Sequence, residues 1–186
     1  MISTAITEFG ENTMRASAPP AADGSRWYVA YTCTHHEKQV AQQLSERHVE
    51  NFLPVYQSVR RWKDRRKELQ LALFPSYVFV RMNLKDRLQV LQLPGVVSFV
   101  NFRGAPAPLS DSEIETLRRG SSNPAHIAPH PYLKVGRRVR VKTGPFAGTE
   151  GILVRRREGC RVVVSIDLLQ RSVALEVDEA DIAANR

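Results

Sequence analysis

Residues 73–82 read LFPSYVFVRM, and the strand inside this stretch decides the fold. From Ser76 to Met82 the side chains alternate, with Tyr77, Phe79 and Arg81 on one side and Val78, Val80 and Met82 on the other. Both sides are mostly apolar. A half-solvated strand would show one polar face, so the pattern predicts a central strand covered on both faces.

Upstream, Arg26 to Cys33 is aromatic and β-branched and reads as a strand. Val40, Ala41 and Leu44 fall at helical spacing between Glu37 and Arg47, with His35 and His36 at the helix start. Asn51 to Trp62 is a strand-like run interrupted by Pro54. Lys63 to Lys67 is a charged turn and Glu68 to Leu73 a returning arm, so a hairpin is expected. Downstream, Leu84, Leu88 and Leu91 form one helical stripe within Leu84 to Leu93, and Gly95 to Phe102 reads as a strand. Ser110 with Glu113 has the form of a capping box, in which each side chain satisfies an otherwise unpaired backbone N–H. Ile114 and Leu117 then face inward. The order β-α-β-β-α-β-α predicts an α+β fold whose first six elements match the ferredoxin-like split βαβ arrangement.

The run GSSNPAHIAPHP, residues 120–131, has three prolines and no periodicity, and reads as a linker. Beyond it the pattern changes. Val139 and Val141 alternate with Arg138, Arg140 and Lys142, and Gly144, Pro145 and Gly148 form a turn. Further strands are expected over Glu150 to Arg156, Cys160 to Ile166 and Ser172 to Val177, with a short fifth over Asp178 to Ile182. Short, evenly spaced strands without a helix predict a small β-barrel. The expected organisation is therefore a tail over residues 1–25, one domain over 26–119, a linker over 120–131 and a barrel over 132–186.

Composition narrows the function classes. The chain has 186 residues, 42% hydrophobic and 25% charged, which is ordinary for a globular protein. No run approaches the ~18 apolar residues of a membrane helix, and the N-terminus lacks the basic start and apolar core of a secretory signal. Cys33 and Cys160 are far apart and form no CxxC pair, as expected of idle thiols in a reducing cytoplasm. No GxSxG, phosphate loop or HExxH occurs, so neither an enzyme nor a cofactor is expected, and adjacent histidines on a turn lack metal-ligand spacing. The net charge of +8 suggests a polyanionic neighbour.

Residues 135–154, VGRRVRVKTGPFAGTEGILV, resemble a KOW motif, the signature of an SH3-like barrel. RWYVAYT, LFPSYVFVRM, LPGVVSFVNF and PAPLSDSEI, in that order, resemble the N-terminal (NGN) domain of NusG-family transcription elongation factors. The resemblance covers about Arg26 to Ile182. RRWKDR, PHPYLKVG and VVSIDLLQRSVALEV are similar to specialised paralogues of the UpxY type, of which RfaH is a better-known relative.

The resemblance implies a factor without chemistry of its own, a cytoplasmic monomer whose N-terminal domain docks on the clamp helices of RNA polymerase. Suppressed pausing and antitermination are the implied effects. Matched by motif position, Tyr77 and Phe79 face the clamp, with Phe74 and Pro75 shaping the edge, although the same residues would serve equally as the core of the central strand. Asp86, Arg87 and Gln89 match the segment that reaches the opposite lobe, or else form an ordinary helix start. His35, His36, Lys38 and Gln39 stand where specialised members touch non-template DNA, or else are ordinary solvated surface. Arg60, Arg61 and Lys63, with Arg65, Arg66, Lys67 and the interleaved Trp62, make a basic hairpin tip suited to nucleic acid or simply to solvent.

In the KOW module, Leu168 and Leu169 are the expected exposed anchors for a partner, a termination factor or a small-subunit ribosomal protein. The longer loop without an aromatic counts against the termination factor. The C-terminal region, rich in Val and Ile and turn glycines, is expected to be a barrel that does not switch to helix, unlike RfaH. The competing reading is a ribosome- or RNA-associated KOW protein.

Overall fold

A computed structural model of the chain describes residues 24–61, 66–123, 126–133, 135–156 and 159–184. The expected tail therefore falls, except for Gly24 and Ser25, outside the described residues. β1 (Arg26–Thr32) leads into α1 (Glu37–Glu46), followed by β2 (Asn51–Phe52), β3 (Val55–Arg61), β4 (Arg66–Ala72) and β5 (Tyr77–Met82). α2 (Arg87–Leu91), β6 (Val96–Phe99), β7 (Asn101–Phe102), β8 (Ala105–Pro106) and α3 (Asp111–Ser121) complete the N-terminal half.

The main sheet has the order β2-β5-β1-β6, with every neighbouring pair antiparallel. β5 is central, and its two faces enter separate cores. Val78, Val80 and Met82 pack with Tyr28, Ala30, Val40, Leu44 and Val90 beneath α1 and α2. Phe79 packs with Trp27, Val29, Ile114 and Leu117 beneath α3. Ser110 closes the capping box with Glu113, which fixes where α3 begins and aims Ile114 and Leu117 at the sheet.

Several elements differ from the sequence expectation. The run from Asn51 to Trp62 divides at Pro54, whose ring supplies no N–H, so β2 joins the main sheet while β3, among the described residues, pairs with β4 alone. The strand expected over Gly95 to Phe102 likewise divides into β6 and the small β7–β8 hairpin. The expected stripe of Leu84, Leu88 and Leu91 forms only in part: Leu84 and Leu91 pack against the core, and Leu88 does not. Asn83 caps the Lys85 N–H and starts a 3-10 turn over Leu84–Asp86, which shifts the helical phase. Val90 and Leu93 are buried instead, and Leu88 is 58% exposed.

The expected linker also contains structure. Gly120 and Ser121 belong to α3, and Ile127–His130 form β9, which pairs with a strand far downstream. The C-terminal half continues as β10 (Arg138–Val141), β11 (Glu150–Arg156), β12 (Gly159–Ile166), β13 (Arg171–Val177) and β14 (Ile182–Ala184). They form one antiparallel sheet in the order β14-β10-β11-β12-β13-β9. The last strand lies after, rather than over, Asp178–Asp181, because Glu179–Asp181 is a 3-10 turn.

The two halves meet at α3. A Cβ on Gly120 would lie 2.6 Å from Ile127 and 3.1 Å from Leu175, so glycine here permits the approach of β9 and β13. The Arg119 guanidinium donates to the Ala147 carbonyl at 2.7 Å. The core beneath α3 is accordingly continuous with that of the C-terminal sheet, where Val139, Val162, Ile166, Val173 and Leu175 are buried.

Candidate functional site

The alternation of β1 puts Trp27, Val29 and Tyr31 on the face that Tyr77, Phe79 and Arg81 occupy on β5. The ladder opposes Trp27 to Arg81, Val29 to Phe79 and Tyr31 to Tyr77. α3 covers the Trp27 end. Leu109 bridges to Trp27, and the Arg118 guanidinium sits 5.1 Å from the Trp27 ring and 5.7 Å from the Phe52 ring, paired with Glu50 at 2.9 Å. At the other end, the Tyr31 and Tyr77 rings lie 5.6 Å apart at 51°, and Tyr31 is 41% exposed. A register shift in the β1–β6 pairing falls between Tyr31 and Thr32. Such bulges re-aim neighbouring side chains.

The turn that delivers Tyr77 is closed by its N–H donating to the Phe74 carbonyl at 3.2 Å. Ser76 has a left-handed φ of 68°. Pro75 is exposed at the tip and Tyr77 is half-buried. Phe74 and Phe79 are both fully buried, edge to face at 5.7 Å. Of the four residues expected at the clamp site, Phe79 and the edge residue Phe74 therefore form core, while Tyr77 and the edge residue Pro75 reach the surface. Tyr31 joins those two. The sequence expectation omitted it, although the RWYVAYT alternation already put it in phase with Trp27 and Val29.

Asp86, Arg87 and Gln89 are all exposed, Asp86 ending the 3-10 turn and the other two on α2. The Gln89 carbonyl accepts from Arg47 at 3.1 Å. His35, His36, Lys38 and Gln39 are also exposed. His35 has a left-handed φ of 67°, and the His36 ring Nδ1 lies 3.1 Å from the Thr34 carbonyl. This turn packs against the one before β6, where a Cβ on Gly95 would lie 3.2 Å from His36.

Arg60 and Arg61 end β3, in register with Lys67 and Arg66 of β4. Lys63 and Arg65 lie outside the described residues. In the C-terminal half, Leu168 and Leu169 form the 3-10 turn Asp167–Leu169. Leu169 is buried in the module's core and Leu168 is partly buried against it. The expectation of two exposed anchors is thus corrected for Leu169, which the turn folds into the core, while Leu168 stays partly accessible. The turn is held by Tyr132, whose hydroxyl donates to Asp167 at 3.0 Å.

Among the described residues no group of three or more His, Cys, Asp or Glu is placed to hold a metal ion. No described helix is long and apolar enough to cross a membrane. Cys33 is exposed and Cys160 buried, and both are free thiols.

Residues 25–118 match a family model described as "Transcription termination factor nusG". The chain is 31% identical over 173 residues to the transcription termination/antitermination protein NusG of Vibrio vulnificus, covering 84% of this chain and 94% of that one. It is 29% identical over 178 residues to the NusG of Buchnera aphidicola, covering 86% and 96%. A solved structure titled "Domain interaction in Thermotoga maritima NusG" has the same fold over 89% of this chain and 100% of that one, with a TM-score of 0.53 and 23% identity.

Proposed function

The chain belongs to the NusG family of transcription termination/antitermination factors, which act with RNA polymerase, and from that membership we propose that its N-terminal half grips the polymerase clamp helices through Tyr31, Tyr77 and Pro75. The observation that carries the reading is the Tyr31–Tyr77 pair, set at the end of the sheet face that α3 leaves uncovered. Adjacent aromatics on a rigid strand pair lose little side-chain freedom on docking, and a few such anchors supply most of an interface's affinity.

His35, His36, Lys38 and Gln39 then face the non-template strand beside the clamp site, and Asp86, Arg87 and Gln89 reach the opposite lobe. Arg60, Arg61 and Lys63 serve nucleic acid at the hairpin tip. The density of basic residues supports this assignment, since Arg60, Arg61, Lys63, Arg65, Arg66 and Lys67 fall in one short run with a single acid, Asp64, among them. The C-terminal sheet is the SH3-like KOW module and recruits a second partner, a ribosomal small-subunit protein, with Leu168 as the accessible part of its turn. The motifs shared with specialised paralogues of the UpxY type favour antitermination, exerted by a cytoplasmic monomer.

Binding of purified core RNA polymerase by wild type, Tyr31→Ala and Tyr77→Ala tests the reading. Loss of binding in both variants supports it. A wild type that ignores polymerase but binds ribosomal RNA overturns it in favour of a ribosome-associated role. Transcription over a long template, with pauses and terminators scored, gives the sign of the effect.

A further inference from the structure

Glu37 is one of few buried polar side chains among the described residues, 7% exposed at the first position of α1. Its carboxylate accepts the backbone N–H of Ser76 at 2.7 Å. The Ser76 carbonyl in turn accepts the Thr32 N–H at 2.8 Å. Cys33, next in the chain, donates to the Gly95 carbonyl at 2.8 Å, and the His36 N–H returns to the Cys33 carbonyl at 3.1 Å. Three loops from separate parts of the sequence are thus tied together at one end of the sheet. One carries His35 and His36, one carries Pro75 and Tyr77, and one carries Gly95.

The tie at Ser76 meets a specific need. Ser76 is a non-glycine residue at φ 68°, a conformation that disfavours any side chain and persists only where the surroundings hold it. Its N–H is part-buried, and leaving such a donor unpaired would cost its desolvation, so the Glu37 acceptor oxygen holds the turn in place. Glu37 also gains from its own place, since a carboxylate in the first helical turn is favoured by the helix dipole.

We propose that Glu37 is a positioning residue, holding Ser76 in its left-handed turn so that Tyr77 meets Tyr31 and the histidine turn and aromatic pair present one rigid surface to polymerase and DNA. This rests on the polymerase-binding reading above for its functional consequence, but the positioning itself can be read in the free protein.

The test compares Glu37→Ala, Glu37→Gln, Ser76→Gly and the Glu37→Ala/Ser76→Gly double variant. Two readouts are used: hydrogen exchange of the Ser76 amide in the free protein, and affinity for core RNA polymerase. Glu37→Ala should speed Ser76 exchange and weaken polymerase binding, each by about tenfold, as expected for a buried donor left unpaired. Glu37→Gln keeps an acceptor oxygen and should hold both within about twofold of wild type. Glycine adopts φ 68° without strain, so the double variant should recover polymerase affinity while its residue-76 amide stays fast. A merely structural role for Glu37 predicts no such rescue.

The proposal is overturned if Glu37→Ala leaves Ser76 exchange unchanged, if it binds polymerase as wild type does, or if the folded double variant binds as weakly as Glu37→Ala. Should Glu37→Ala not fold, Glu37→Gln and the double variant decide. Wild-type affinity in both upholds the proposal, and a tenfold loss in either overturns it. If the wild type itself does not bind polymerase, the functional reading fails. The exchange readout then judges the positioning alone, with a protected Ser76 amide that Glu37→Ala exposes as the outcome in its favour.

Discussion

Tyr31 and Tyr77 sit directly opposite each other across the β1–β5 ladder, with ring centroids 5.6 Å apart. Tyr77 is partly buried against the core, whereas Tyr31 is 41% exposed. Tyr31→Ala should therefore cost no more than about 1 kcal/mol of stability, the scale of one aromatic pair. Its affinity for core polymerase should fall about tenfold, the loss typical of an anchor residue. The remaining contact should tolerate moderate salt, because apolar docking releases few counterions. Titration of labelled polymerase at two salt concentrations checks both points.

Phe79 and Phe74 should behave in the opposite way. Both rings are buried, and Phe79 touches Phe52 as well as Phe74. Phe79→Ala should destabilise the fold by about 3–5 kcal/mol through lost burial and a residual cavity. Urea unfolding measures this. Phe79→Leu, which leaves a smaller void, should stay folded and bind polymerase as wild type does. A Phe79→Leu variant that is fully stable yet deaf to polymerase would move Phe79 from core to interface.

How far the sequence was legible follows from what each pattern encodes. Apolar residues on both sides of β5 announced two cores, and the Ser110–Glu113 spacing announced the start of α3. β9 was hidden because IAPH reads as linker. Pro129 is tolerated there since β9 is an edge strand that, among the described residues, pairs with β13 alone. Leu88 was misplaced because the Asn83 cap shifts the helical phase, which a bare i, i+4 stripe cannot report. In the site, LFPSYVFVRM pointed to the surface turn but not to which of its aromatics emerge. Tyr31 stayed hidden for a related reason: alternation assigns it to a face, whereas its exposure depends on α3 covering the Trp27 end.

The basic segment of the β3–β4 hairpin carries a separate prediction. Arg60, Arg61, Arg66 and Lys67 fall in one short run of the sequence. Lys67→Glu should weaken DNA binding and lower the slope of affinity against salt by at least about one, since a cation able to neutralise phosphate is lost. Unchanged DNA affinity in the folded variant would leave the basic segment as solvated surface.

Leu168 and Leu169 separate anchor from core within one turn. Leu169 is buried, so Leu169→Ala should cost about 2–5 kcal/mol. Leu168 is only partly buried, and Leu168→Ala should cost less than half as much. If the module recruits its partner through this turn, Leu168→Ala should reduce capture of the ribosomal small-subunit protein without unfolding the sheet. Thermal melts alongside binding measurements distinguish the two effects.

The C-terminal half should remain a sheet in the free protein. β12 is paired along its length, from Cys160 opposite Val177 to Ile166 opposite Arg171 on one side, and with β11 on the other. Its valines, together with Val173 and Leu175 of β13, bury the module's core, and branched residues favour strands over helix. Gly151 locks the arrangement further. A Cβ there would lie 2.5 Å from the Val163 carbonyl oxygen, a backbone atom that cannot swing aside. Gly151→Ala should therefore cost at least about 1–3 kcal/mol, as overpacking does, although alanine is the better helix former. In a chain poised between sheet and helix, the same substitution would instead push the region toward helix. Amide chemical shifts of wild type and Gly151→Ala between Val139 and Val177 decide the matter: strand shifts throughout the wild type, with a lower unfolding midpoint in the variant, are the expected outcome, and helical shifts in either free protein would reverse it.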